Sequence, residues 1–195
     1  TSGVYLEEAA SDRGDNRQVF FDEMLDVLDP RDFVSLVKIS TERANIVPCE
    51  DSCTPGNLHL CSLPTTDRSI VRCGLQAMAR GEGGTTPMNQ VLKDIYNTVI
   101  LPNSDLNPVL VLFTDGSEED ETISSLRGDG GALDLYANGY QNNNLTAPVP
   151  VFVLHLDQKP IAAADQNNGG FGFSSGRDDR LMELACATGG DYIFL

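Results

Sequence analysis

Two short stretches of this chain place hard oxygen donors where a cation could use them. In "VLVLFTDGSEEDE" an apolar run, Val109 to Phe113, breaks into Thr114-Asp115-Gly116 and then into further carboxylates. In "GEGGTTPMNQVLKDI" the pair Thr85-Thr86 follows Gly83-Gly84 and precedes a helical pattern. A carboxylate and a hydroxyl, completed by water, suit Mg2+, Mn2+ or Ca2+. Each residue also has a plainer reading, as the cap of the helix that follows it. The two weigh more together, because both come from strand-to-helix loops, and open α/β sheets bind ligands at the carboxyl ends of their strands.

Other chemistries have less support. "GEGGTT" is not a G-x-G-x-x-G turn directly after a strand, and no G-x-x-x-x-G-K-[ST] occurs, so a nucleotide site is not indicated. "GFSSG" superficially resembles a hydrolase nucleophile elbow, but no strand leads into it. His59 and His155 are the only histidines, and His155 alternates with apolar residues in "VFVLHLD", as a satisfied strand residue would. The expectation is a protein that is not an enzyme.

The elements that must position these loops are legible as an alternation of helix and strand. "RQVFFDEMLDVLDP" puts Val19, Phe20, Met24 and Leu28 near one helical face, with Asp15 or Asn16 as cap and Pro30 as stop. "FVSLVKIS" predicts a short buried strand. "TTDRSIVRCGLQAMARG" predicts a capped helix. A further helix starts at Thr86 and Pro87 and carries Val91, Leu92, Ile95 and Val99. "VLVLF", "PVPVFVLHLD" and "DYIFL" predict strands, separated by the helices "GALDLYANGY" and "DDRLMELACATGG", the last with a Gly-Gly stop. Continuous apolar strands alternating with helices imply an α/β domain, a mostly parallel sheet covered on both faces.

A chain of 195 residues is most simply one domain. Its 29 acidic against 13 basic residues give a formal charge of −16, which disfavours nucleic-acid binding and suits cations or basic partners, or plain solubility. No apolar run reaches membrane-spanning length. The N-terminus lacks a basic region followed by an apolar one, as in a mature or trimmed chain. Cys49, Cys53, Cys61 and Cys73 cluster in a polar, turn-rich segment, where disulfides are the expected staple. Zinc, with His59 added, and free thiols are the rivals, and C-x3-C, C-x11-C suits zinc badly. Cys186, spaced helically with Leu181, Met182 and Leu184, is expected to be a buried thiol. "RGD" at 13–15 matches an integrin-recognition tripeptide, and Asn144-Leu145-Thr146 is a glycosylation sequon.

Five segments in order resemble the von Willebrand factor type A (VWA) family. "LDPRDFVSLVKIS" is similar to its L-x-P-x-D-x-V-S-L-V-x-F segment, and "GEGGTTPMNQVLKDI" to its G-G-T loop and helix. "NPVLVLFTDGSEED" is similar to its strand ending in T-D-G, "VPVFVLHLD" to the strand that follows, and "DDRLMELACATGGDYIFL" to its last helix and closing strand. The resemblance covers nearly the whole chain. It implies one domain over 1–195 with a doubly wound, Rossmann-like sheet, a cysteine-rich insertion near 48–74 and a glycine-rich loop near 157–177.

The resemblance further implies a metal-ion-dependent adhesion site with Thr85 and Asp115 as ligands and Glu118 as an outer-shell candidate. The family's D-x-S-x-S motif is absent. Either "TSGV" is its tail, making Ser2 a ligand, Val4 the replacement of the second serine and the first strand missing, or "VYLEEAASD" is a first strand with Glu8, Ala10 and Asp12 in the motif's place. The implied function is an extracellular, cell-surface or periplasmic adhesion or receptor module, whose protein or surface ligand offers a carboxylate to the cation. The alternatives are a structural VWA domain with a decayed site and a VWA subunit of an intracellular ATPase or chelatase complex. Thiol titration separates the compartments: an extracytoplasmic protein should leave the four clustered thiols unreactive until reduced, and an intracellular one should show five reactive thiols.

Overall fold

A computed structural model describes residues 16–37, 64–78, 88–114, 126, 130–139, 148–155 and 177–195. Among them the chain forms α1 (Asn16–Val27), α2 (Arg68–Met78), α3 (Met88–Ile95), β1 (Leu110–Thr114), α4 (Ala132–Asn138), β2 (Val151–His155), α5 (Asp179–Thr188) and β3 (Tyr192–Phe194). α3 runs on through a π turn at Tyr96–Ile100 and a 3-10 segment at Leu101–Leu106. The protein is of mixed α/β class.

The three strands form one parallel sheet in the order β1-β2-β3. Leu110 pairs with Val151 and Thr114 with His155, and His155 in turn pairs with Phe194. Successive strand residues point to opposite faces. On one face Leu112, Val151 and Val153 join a core with Met88, Leu92, Tyr96, Leu135, Tyr136, Leu181 and Leu184 from α3, its π turn, α4 and α5. On the other face Phe113 meets the rings of Phe20 and Phe21 of α1, at 5.9 and 5.8 Å between centroids. A second cluster, Leu25, Leu36, Val71 and Leu75, packs α1 against α2, and Arg72 binds Asp22 and Asp26 across that contact. None of the described helices is long and apolar enough to cross a membrane.

Several expectations need correction. The inward face of α1 runs through Phe21, Leu25 and Leu28, while Val19 is 58% exposed. α1 carries apolar residues on more than one side, and its packing on α2 selects among them. Phe33–Val37 is not a strand: Val34 makes a single antiparallel bridge to Thr65, with N–H···O distances of 2.9 and 3.0 Å. Pairing cannot extend past it on one side, because Asp32 turns back onto the Asp29 carbonyl and Asp67 turns to start α2. Cys186 is exposed, not buried, because the inward stripe of α5 is Leu181, Leu184, Ala185 and Thr188. Met182 and Cys186, four apart, lie on its outer side. β1 is buried at Leu112 and Thr114 only, since Val111 and Phe113 face the less covered side. Thr86 and Pro87, the segment 38–63 and the stretch 156–176 lie outside the described residues.

The Gly-Gly stop has a physical cause at each position. Gly189 closes α5 at φ 78°, a left-handed conformation that L side chains resist. Gly190 passes so close to β2 that an added Cβ would stand 2.0 Å from the carbonyl oxygen of Val151. Gly190→Ala should therefore cost at least about 3 kcal/mol, because backbone rather than a flexible side chain blocks it. Gly189→Ala, which meets nothing within 4 Å, should cost roughly 1 kcal/mol. Urea unfolding of the two variants checks the difference, and equal losses would refute the close approach.

Candidate functional site

In a parallel sheet all strands finish at one edge. Here that edge carries Thr114, His155 and Phe194 side by side. The helix between two parallel strands must run back across the sheet. α5 therefore starts at this edge, with Asp178 as its cap, and ends at the other, where the Thr188 hydroxyl accepts the Val151 N–H at 3.1 Å. α4 behaves alike: its last turn reaches the amino edge, where Val149 N–H donates to the Tyr136 carbonyl at 2.9 Å. Its first residue, Ala132, lies only four residues, about 6 Å, further along the helix.

Ala132 then locates α3. Its N–H donates to the Asn89 side-chain oxygen at 2.9 Å, so the first turn of α3 lies beside the start of α4. Two described segments meet at the carboxyl edge: the end of β1 and the start of α5. Asp115 follows Thr114 directly, and Thr85 lies three residues before Met88 in the sequence. Ser2, Thr85, Asp115 and Glu118 themselves lie outside the described residues. Among the described residues no three of His, Cys, Asp or Glu are grouped as a metal would require.

The described part of the edge is a polar network. His155 is 3% exposed, and its Nδ1 is 2.5 Å from the Tyr192 hydroxyl. The same hydroxyl accepts the Asp178 N–H at 3.2 Å. The Asp178 carboxylate accepts the Arg180 N–H at 2.9 Å and both Nε and a terminal guanidinium nitrogen of Arg180, at 3.1 and 2.9 Å. Its side chain is 1% exposed, and the guanidinium together with the positive end of α5 compensates the buried charge. Tyr192 and Phe194 present their rings edge-on to His155, at 5.9 and 5.4 Å between centroids. Arg177 stands over the Phe194 ring at 5.9 Å.

His155 takes the role its place in an apolar strand predicted, a buried side chain with a partner. Asn89 and Tyr192 went unmarked in the sequence. The available signal for Asn89 was a polar residue inside the apolar stripe Met88, Val91, Leu92 and Ile95. For Tyr192 it was an aromatic hydroxyl spaced to face the same side of the sheet as Phe194. Cys73 is disulfide-bonded and Cys186 is a free thiol.

The chain matches no protein-family model and no curated protein. Among solved structures it is similar, at 17% identity, to the crystal structure of an uncharacterized membrane spanning protein from Vibrio fischeri. The match covers 92% of this chain and 76% of that one, with a TM-score of 0.31, and carries no argument for fold or function.

Burial raises the pKa of the Tyr192 phenol, partly offset by the hydrogen bond from the Asp178 N–H, and burial raises that of Tyr136 much further. As pH climbs past about 10 the unfolded chain releases these protons first. Unfolding is then favoured, and stability present below that pH is lost above it. Tyr192→Phe should cost on the order of 1 kcal/mol near neutral pH and should lessen the alkaline loss, with Tyr136 supplying the remainder. Urea midpoints of both proteins at neutral and alkaline pH test this, and identical alkaline losses would contradict a raised Tyr192 pKa in the folded chain.

Proposed function

We propose that the chain is a doubly wound VWA-type domain and a non-enzymatic binding module of the adhesion or receptor kind. It works in an extracytoplasmic setting and engages a protein or surface ligand through a divalent cation. The observation that carries this reading is that the end of β1 and the start of α5 meet at the carboxyl edge of one parallel sheet. The sequence attaches Asp115 directly to the end of β1, and the resemblance adds Thr85. Hydroxyl and carboxylate donors match Mg2+, Mn2+ or Ca2+ in chemistry. Thr85 and Asp115 would hold the ion, with Ser2 as a third donor in the register that reads "TSGV" as the motif's tail and Glu118 behind them. The bound ion would supply a positive charge for a carboxylate of the partner.

Two further features support the reading. The disulfide at Cys73 suits an oxidising compartment. His155 is buried and engaged with Tyr192, which speaks against a general base at this edge.

Calorimetric titration with Mn2+ tests the proposal. The protein should bind one ion, Asp115→Ala should weaken binding at least about tenfold, and Thr85→Ala should weaken it less, since a neutral hydroxyl is the poorer ligand. Undiminished binding by Asp115→Ala would sink the proposal. Absence of binding by the unaltered protein would favour a structural domain whose site has decayed.

A further inference from the structure

Parallel sheets are ordinarily covered by helices on both faces. Here one face is covered by α3, α4 and α5, and the other only in part. Alternation along the strands puts Val109, Phe113, Phe152, Leu154 and Ile193 on the face turned away from the main core. α1 meets Phe113 through Phe20 and Phe21, and Leu154, paired with Phe113, is 7% exposed. The cover stops there. One strand across, Ile193 pairs with Leu154 and is 45% exposed. Two residues back along β2, Phe152 is 40% exposed, and Val109, just before β1, is 55% exposed. Phe152 and Ile193 are diagonal neighbours, about 8 Å apart by strand spacing and rise. Apolar side chains left open side by side mark an interaction surface more often than single ones do.

We infer that this strip is a docking surface for a basic amphipathic helix of a protein partner. Charge selects the partner. The strands and their flanks, 109–114, 151–155 and 191–195, contain no Lys or Arg. Asp191 is exposed and two residues before Ile193, on the same face. Val153 N–H donates to the Asp191 carbonyl at 2.8 Å, which sets Asp191 beside Phe152. At the border of the gap, α1 carries Asp22 and Asp26 on the one Arg72, and Glu23 is exposed. A helix with Lys or Arg flanking its apolar stripe meets apolar side chains in the middle and acids at the rim. A second copy of this chain would instead bring another formal charge of −16. A helix also suits a sheet face better than an extended segment does, because its backbone groups are already paired. Such docking needs no cation and lies on the face of the sheet, away from Thr114 and His155 at its carboxyl edge.

The test uses the full chain without added metal and three fluorescent peptides of equal length, followed by anisotropy at low salt. One peptide is an amphipathic Leu/Lys helix. The second has Glu in place of every Lys. The third keeps the Lys composition in a scrambled order that forms no apolar face. The Leu/Lys helix should bind at least about tenfold more tightly than either of the others. Phe152→Thr combined with Ile193→Thr should weaken it at least about fivefold, and Thr suits a strand. Val109→Lys lies outside the strands and sets a like charge against the peptide, so it should weaken binding too and keeps the test decisive where the double variant does not fold. Asp191→Asn keeps an acceptor for the Tyr192 N–H and should weaken the Leu/Lys helix about two- to threefold. Equal binding of the ordered and scrambled Lys peptides overturns the inference, as do binding untouched by the apolar variants and tighter binding of the Leu/Glu helix. A dimer in analytical ultracentrifugation that Phe152→Thr with Ile193→Thr dissolves would give the face to a second copy and overturn it as well.

Discussion

The geometry of the sheet depends on one crowded junction at Val151. Its N–H is accepted by the Thr188 hydroxyl, Gly190 lies against its carbonyl, and Leu110 pairs with it from β1. Thr188 is itself held, donating toward the Leu184 and Ala185 carbonyls at 2.8 and 3.0 Å. Parallel strands have no tight hairpin to set their register, so crossovers and side-chain burial must do it. The turn from α5 to β3 does so here, because only a residue without Cβ can pass Val151 this closely. A shift of one residue would turn Val151 and Val153 out of the core and His155 away from Tyr192. The makeup of the carboxyl edge therefore follows from a contact at the opposite end of β2.

The helices are tied to this frame by buried polar bonds as well as by apolar packing. Asn89 joins α3 to α4, and the Tyr136 hydroxyl donates to the Leu92 carbonyl at 3.0 Å. These bonds are directional, so they fix which turns of α3 and α4 adjoin, something apolar burial alone does not do. Tyr96 is the exception: its buried hydroxyl has no hydrogen-bond partner, at a cost of about 1–3 kcal/mol. Its ring meets Tyr136 edge-on at 5.3 Å, and α3 widens into the π turn at that residue.

Local chemistry was most legible where it is self-contained. The Gly-Gly end of α5 was readable because it is decided within one helix and its flank. The strands at 110–114, 151–155 and 192–194 were readable as apolar runs between turn signals. The failures share a cause. The apolar run from Phe33 to Val37 does not form a strand: past the Val34–Thr65 bridge, on the side of Asp32 and Asp67, both segments turn away, a tertiary fact. Of the predicted face of α1, Phe20 and Leu28 pack, against Phe113 and the α1–α2 cluster, whereas Val19 is exposed because apolar residues occupy several sides and the neighbouring elements decide among them. Cys186 was misplaced because helical spacing to Leu181 and Leu184 is also compatible with the outer flank beside Met182. For the candidate site, Asp115 and Thr85 came from resemblance and from residue type. Both lie outside the described residues, and only Thr114, the neighbour of Asp115, is placed at the carboxyl edge.

The handling of negative charge links the fold to the proposed site. Exposed pairs such as Arg31 with Asp29 are screened by water and do not hold the domain together. Asp178 is another matter, since its side chain is almost wholly withdrawn from water. A carboxylate so placed must be compensated, and the chain compensates it from within, through Arg180 and the α5 amino end. At the end of β1 the sequence supplies acids, Asp115 and then Glu118 to Glu121, with no basic residue before Arg127. In the proposed reading a bound cation does for Asp115 what Arg180 does for Asp178. The difference is functional: Arg180 spends its donors on its own chain, whereas a cation held by few protein ligands keeps a position open for a partner.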